Sequence, residues 1–128
     1  MKPRVLVTDD AAIIRQLIVD TVTQAGWQVV AQATNGQEAV EKYLQHRPDI
    51  MTLDLVMPEY DGRYALKNIL VADPQARIVV VSALNQAEIL REAIRLGAAE
   101  FVVKPFDPPV LLETLRRVLE LEATAPSA

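Results

Sequence analysis

Val5-Leu6-Val7-Thr8-Asp9-Asp10, Ile50-Met51-Thr52-Leu53-Asp54 and Phe101-Val102-Val103-Lys104-Pro105 share one pattern: a strand-length run of apolar and β-branched residues closed by charge. Such near-continuous runs suit strands covered on both faces of a parallel sheet. In an open α/β sheet, ligands bind in the crevice beyond the carboxyl ends of the strands, and that is where these charges fall. Three carboxylates gathered there repel one another unless a cation joins them. An oxygen-only donor set favours Mg²⁺, which keeps several waters and accepts a phosphate oxygen as a further ligand. The pattern points to Mg²⁺-dependent phosphoryl chemistry.

Outward from these runs, strand-like and helix-like stretches alternate. Arg4–Thr8 reads as a strand, followed by Ala12, Ile13, Leu17, Ile18, Val22 and Ala25 at helical spacing and a stop at Gly26. Val29–Ala33 is the second strand, ended by Asn35-Gly36. The second helix carries Ala39, Val40, Tyr43 and Leu44 and is shut off by Pro48. Ile50–Asp54 is the third strand, and the helix opened by Asp61-Gly62 carries Tyr64, Ala65, Ile69 and Leu70 up to Asp73-Pro74. Ile78–Ser82 is the fourth strand, and Ile89, Leu90, Ala93, Ile94 and Leu96 mark a helix closed by Gly97. Phe101–Lys104 is the fifth strand, and Pro108-Pro109 starts a last helix through Leu119. Five βα units in strict alternation predict an α/β fold, a parallel sheet with helices on both faces.

The 128 residues make one domain, predicted over 1–121, with the small polar stretch 122–128 as a short flexible tail. A net charge of −4 without a basic cluster argues against nucleic acid or an anionic membrane as partner. With no cysteine there is neither a disulfide framework nor a thiolate metal site. Apolar stretches far shorter than a bilayer span, and no signal-peptide core, lead to the expectation of a cytoplasmic protein. His46, without a cysteine or a second histidine, is no metal site.

Taken singly, the charged residues have plainer readings. An aspartate after a strand commonly caps the next helix, where negative charge is favoured, and a lysine before proline is usually a solvated charge. Together, in order, they carry a resemblance. Asp9-Asp10, Leu53-Asp54-Leu55-Val56-Met57-Pro58 with Gly62 beyond, Ser82-Ala83 and Lys104-Pro105 resemble the receiver domain of two-component response regulators. The likeness spans roughly residues 4–121 and is strongest to the single-domain chemotaxis regulators of that family. It implies a flavodoxin-like, doubly wound sheet of five parallel strands in the order 2-1-3-4-5, with five helices.

The resemblance also implies roles. Asp54 would accept the phosphoryl group, a carboxylate being competent as such a nucleophile. Mg²⁺ would be held by Asp9 through water, by Asp10 and Asp54 directly, and by the Val56 carbonyl. Lys104 would pair with Asp54 at rest and with a phosphoryl oxygen after transfer, and Ser82 would turn its hydroxyl onto another. Ala83 leaves room for the group. The family has a cis peptide at the position of Lys104-Pro105, aiming Lys104 into the site. Ser82 would vacate space for Phe101, where the chemotaxis relatives have tyrosine. Leu90 would lie beside Phe101 on an output face of fourth helix, fifth strand and last helix. Val56 and Leu84 replace a polar and an acidic residue of the relatives; their bulk is expected to exclude water and lengthen the aspartyl phosphate's lifetime.

The resulting expectation is a monomeric, phosphorylation-activated switch rather than an enzyme, since it turns over no external product beyond its own phosphorylation and dephosphorylation. The expected donor is a sensor histidine kinase of the chemotaxis type, and the expected reader is a flagellar motor switch protein. A phosphatase is a further implied partner, although one that grips a polar group at position 56 finds only Val56. The alternative is a stand-alone relay intermediate that passes the phosphoryl group to a histidine of another phosphotransferase. A haloacid dehalogenase would need a second aspartate where Val56 stands, which rejects it. A receiver belonging to a longer DNA-binding regulator is also conceivable from the Ala-Pro-Ser tail, but a stand-alone domain is expected.

Overall fold

The computed structural model describes residues 2–83 and 87–124, with side chains through 120. Its five strands are β1 (Arg4–Thr8), β2 (Gln28–Ala33), β3 (Ile50–Leu53), β4 (Ile78–Ala83) and β5 (Glu100–Lys104). They alternate with helices α1 (Ala12–Gln24), α2 (Gly36–His46), α3 (Gly62–Ala72), α4 (Ala87–Leu96) and α5 (Pro108–Thr124). All pairings are parallel, in the order β2-β1-β3-β4-β5. The flavodoxin-like fold expected from the sequence is the one observed.

Side chains alternate across each strand, so one sheet feeds two cores. Leu6, Met51, Leu53, Ile78 and Val80 pack with Leu66, Ile69, Leu90 and Ala93 of α3 and α4. Val5, Val7, Ile50, Val79 and Val81 face the other way, onto Ile18 and Val22 of α1 and Leu111 and Leu115 of α5. Trp27 closes the edge of this second core.

Local chemistry sets the element ends. Gly26, at φ +87, takes the left-handed backbone beyond α1 and donates its N–H to Thr23. Asn35 caps α2 by accepting the Glu38 N–H at 2.9 Å, and Asp61 caps α3 by accepting from Arg63 and Tyr64. Differences from the sequence reading are small and physical. β3 stops at Leu53, one residue earlier than expected, although Asp54 still donates its N–H to the Thr8 carbonyl at 3.0 Å. β2, β4 and β5 each gain a residue at one end. Helix α5 runs to Thr124, three residues into the stretch expected to be tail, since Glu122, Ala123 and Thr124 carry no stop signal. Residues 125–128 lie outside the described residues.

Candidate functional site

The carboxyl ends of β1, β3 and β5 bring the expected charges together. Val5 and Thr8 pair with Ile50 and Leu53, so Asp9 and Asp54, one residue beyond each strand, emerge side by side. Both are buried, Asp9 at 1% and Asp54 at 5% exposure, while Asp10 is exposed. Carboxylate oxygens of Asp9, Asp10 and Asp54 all lie within 4.8 Å of one another. From the far edge, Lys104 Nζ reaches Asp9 Oδ2 at 2.7 Å and Asp54 Oδ2 at 3.4 Å. Its nearer partner is therefore Asp9; the pairing with Asp54 expected at rest is present but shared.

Burial, reinforced by the Asp9 charge, pushes the Asp54 carboxyl up to about 6, against the pull of Lys104 and the Val56 N–H. For Lys104, burial works to lower its pKa, but hydrogen bonding to Asp9 and the charges of Asp54 and Asp9 outweigh it and hold the ammonium above its ordinary value. One ammonium among three carboxylates leaves the cluster negative. An all-oxygen donor set this compact fits Mg²⁺.

The other expected residues border this cluster. Ser82, near the end of β4, is buried, and its Oγ has no hydrogen-bond partner among the described residues. A buried hydroxyl left unpaired is costly, so the site holds a donor without an acceptor. Ala83, half-buried, pairs in register with Lys104. Val56 is 49% exposed, and its N–H donates to Asp54 Oδ1 at 3.2 Å. The Lys104-Pro105 bond is cis. Leu84 lies outside the described residues. Phe101 and Leu90 meet in a groove of about 850 Å³ between α4 and β5, which Arg91, Ile94 and Val103 also line.

Two kinds of residue were missed. Arg15, on α1, donates from Nη1 to the Asp9 carbonyl at 2.8 Å and so props the β1 end. Nothing in its sequence context separates it from an ordinary surface arginine. Gly62, read as a helix opener and as part of the family motif but with no role in the site, lets α3 press on the site. A Cβ there would overlap the Asp54 carbonyl oxygen and lie 2.6 Å from Leu55 Cα. The motif Asp61-Gly62 was visible, but this close approach was not.

Among the described residues, no helix is long and apolar enough to cross a membrane. The response regulator receiver domain family matches residues 5–116. The chain is 49% identical to the chemotaxis protein CheY of Thermotoga maritima, over 92% of this chain and 98% of that protein. It is 47% identical to CheY of Bacillus subtilis, over 93% and 99%. In structure it is similar to the matched chain of the CheX–CheY–BeF₃–Mg²⁺ complex of Borrelia burgdorferi. There the TM-score is 0.86 at 35% identity, covering 90% of this chain and 87% of that one. With the acidic cluster, the lysine and the sheet order in place, the chain belongs to the response regulator receiver domains, phosphoacceptor switches, and is closely related to the CheY chemotaxis regulators.

Proposed function

We propose that Asp54 accepts a phosphoryl group from a phosphohistidine of a chemotaxis-type sensor kinase, and that the resulting switch is read by a flagellar motor switch protein. A carboxylate oxygen of Asp54 forms the new O–P bond as the donor N–P bond breaks, and the leaving imidazole keeps the electron pair. Such transfer asks for positioning and charge stabilisation more than covalent work. Lys104 Nζ, within 3.4 Å of Asp54, neutralises charge on the arriving oxygens, and Ser82 Oγ donates to one of them. Asp9, Asp10, Asp54 and the Val56 carbonyl would hold Mg²⁺. When bound, Mg²⁺ supplies positive charge to the phosphoryl oxygens.

The observation that carries this reading is Lys104 lying between two buried carboxylates, beside a buried hydroxyl with no acceptor. A neutral acceptor would leave that constellation without purpose. A phosphoryl group satisfies Ser82, and Ala83 leaves it space. Ser82 is paired with Val103 in register, and Phe101 lies on the same strand, two residues back. Movement of Ser82 is thereby felt in the groove of Leu90 and Phe101, which accepts an amphipathic helix of the reader. Phe101 offers ring area but no hydroxyl. The solved neighbour binds beryllofluoride, Mg²⁺ and CheX, which supports the same ligands here, with a CheX-like protein as a further partner. Release of the phosphoryl group by water at the same site resets the switch.

The test is a titration with beryllofluoride and Mg²⁺, followed by binding of a motor-switch amino-terminal peptide. Saturation lost in Asp54→Asn, together with tighter peptide binding in the loaded protein, is the expected result. No loading of the wild type would sink the phosphoacceptor assignment. Loading without any gain in peptide binding would remove the motor partner and leave the relay role, with a phosphotransferase histidine as the next acceptor.

A further inference from the structure

The loop from Leu55 to Asp61, which joins β3 to α3 and carries the Val56 carbonyl, is braced from outside the acidic cluster. Gly36, the first residue of α2, donates its N–H to the Tyr60 carbonyl. A Cβ at position 36 would overlap the Asp61 carbonyl oxygen and lie 2.7 Å from that of Tyr60. Those are backbone atoms, so no side-chain rotation relieves the clash; either α2 or the loop must move.

The α2 side is held in place by its own bonds. Asn35 caps the helix through the Glu38 N–H, and Glu38 Oε1 accepts from both the N–H and the hydroxyl of Thr34, at 2.7 and 2.8 Å. One residue earlier, buried Ala33 accepts the Asp9 N–H at 3.1 Å. The β2–α2 junction thus holds the β1 end of the site with one hand and the β3–α3 loop with the other. We propose that Gly36 is a positioning residue: it sets the distance between the Asp9-Asp10 pair and the Val56-bearing loop, and so the fit of the cluster to Mg²⁺. This rests on the reading that these groups hold Mg²⁺.

The inference runs against helix propensity, by which alanine is the better residue in a helix. Its test compares Mg²⁺ dissociation constants, by calorimetric titration, for the wild type, Gly36→Ala and Gly26→Ala. Gly26 has φ +87 and open space around it, so alanine there strains the backbone far from the cluster and serves as a stability control. Both variants are expected to melt lower, and only Gly36→Ala to bind Mg²⁺ more weakly, by on the order of tenfold, as when supports of metal ligands are removed. Equal Mg²⁺ affinity in Gly36→Ala and the wild type would overturn the proposal, as would equal weakening in Gly26→Ala. A wild type that takes no Mg²⁺ would instead fail the metal reading itself. Should Gly36→Ala not fold, the wild-type amide resonance of Gly36 still decides: it is expected to shift on Mg²⁺ addition, and an unmoved resonance refutes the brace.

Discussion

Val56 stands half exposed two residues beyond Asp54, tied to it by its own N–H. The family resemblance implies that the side chain at this position flanks the path of attacking water; valine would bring two methyl groups there and no hydrogen bond to orient that water. Replacing them with a carboxamide supplies both access and an orienting group. Val56→Asn is expected to speed loss of the phosphoryl group roughly threefold to tenfold, about 0.7–1.4 kcal/mol off the barrier. A radiolabelled acyl phosphate chase measures it, and an unchanged half-life would dismiss the shielding role. At this scale legibility followed chemistry. Asp54 and Lys104 could be found because charge ending an apolar run is conspicuous. Arg15 could not, because its partner is a main-chain carbonyl, which any residue at position 9 would present.

Helices α2 and α3 are joined by a polar contact at their C-terminal ends. The buried Tyr43 hydroxyl donates to Asp73 Oδ2 at 2.7 Å, and Arg47, left-handed at φ 46, lies over the Tyr43 ring and 3.8 Å from the same carboxylate. The Tyr43 hydrogen bond, helped by the Gln75 N–H and Arg47 and opposed by burial, holds the Asp73 carboxyl below its usual range. Burial, then the bond to Asp73, raises the Tyr43 hydroxyl. A depressed carboxylate stabilises the fold above its unfolded value, near 4, and that contribution disappears as pH falls through the lower folded value. Tyr43→Phe is therefore expected to cost about 1–2 kcal/mol at pH 7. The gap to the wild type should narrow below about pH 4. Urea unfolding at pH 7 and pH 3 reads both, and a gap independent of pH would show that the hydroxyl's contribution does not depend on the charge of Asp73.

Element types were legible because each apolar run is long enough to declare its period; element faces were less so. Tyr64, counted with the apolar stripe of α3, is 39% exposed and meets Tyr60 in a tilted contact, with ring centroids 4.8 Å apart, while Leu66 fills the core instead. In α4, Leu90 and Ala93 are buried, but Ile94 and Leu96 remain well exposed. Ile94 lines the groove beside Phe101, so part of what reads as core in the sequence is an exposed apolar wall.

Across the whole molecule, the site and the groove are separate places on one ladder. Ser82 and Ala83 face Val103 and Lys104 beside the carboxylates, and Val80 faces Phe101 beneath the groove. The parallel α/β sheet could be foreseen from alternation and its strand order from the family resemblance; that β5 carries both Lys104 and the groove residue Phe101 in this register could not. Coupling carried by a shared element obeys thermodynamic reciprocity. If beryllofluoride tightens a reader peptide by some factor, saturating peptide must tighten beryllofluoride by the same factor, typically about 5- to 150-fold for coupled sites. Titrating the mimic with and without peptide checks this, and an unchanged affinity would mean that the groove and the carboxylates are independent. A reader bound at Phe101 is then also a regulator of charging: the more of it a cell holds, the less donor is needed to keep the domain loaded, and information entering by the groove travels back to Lys104.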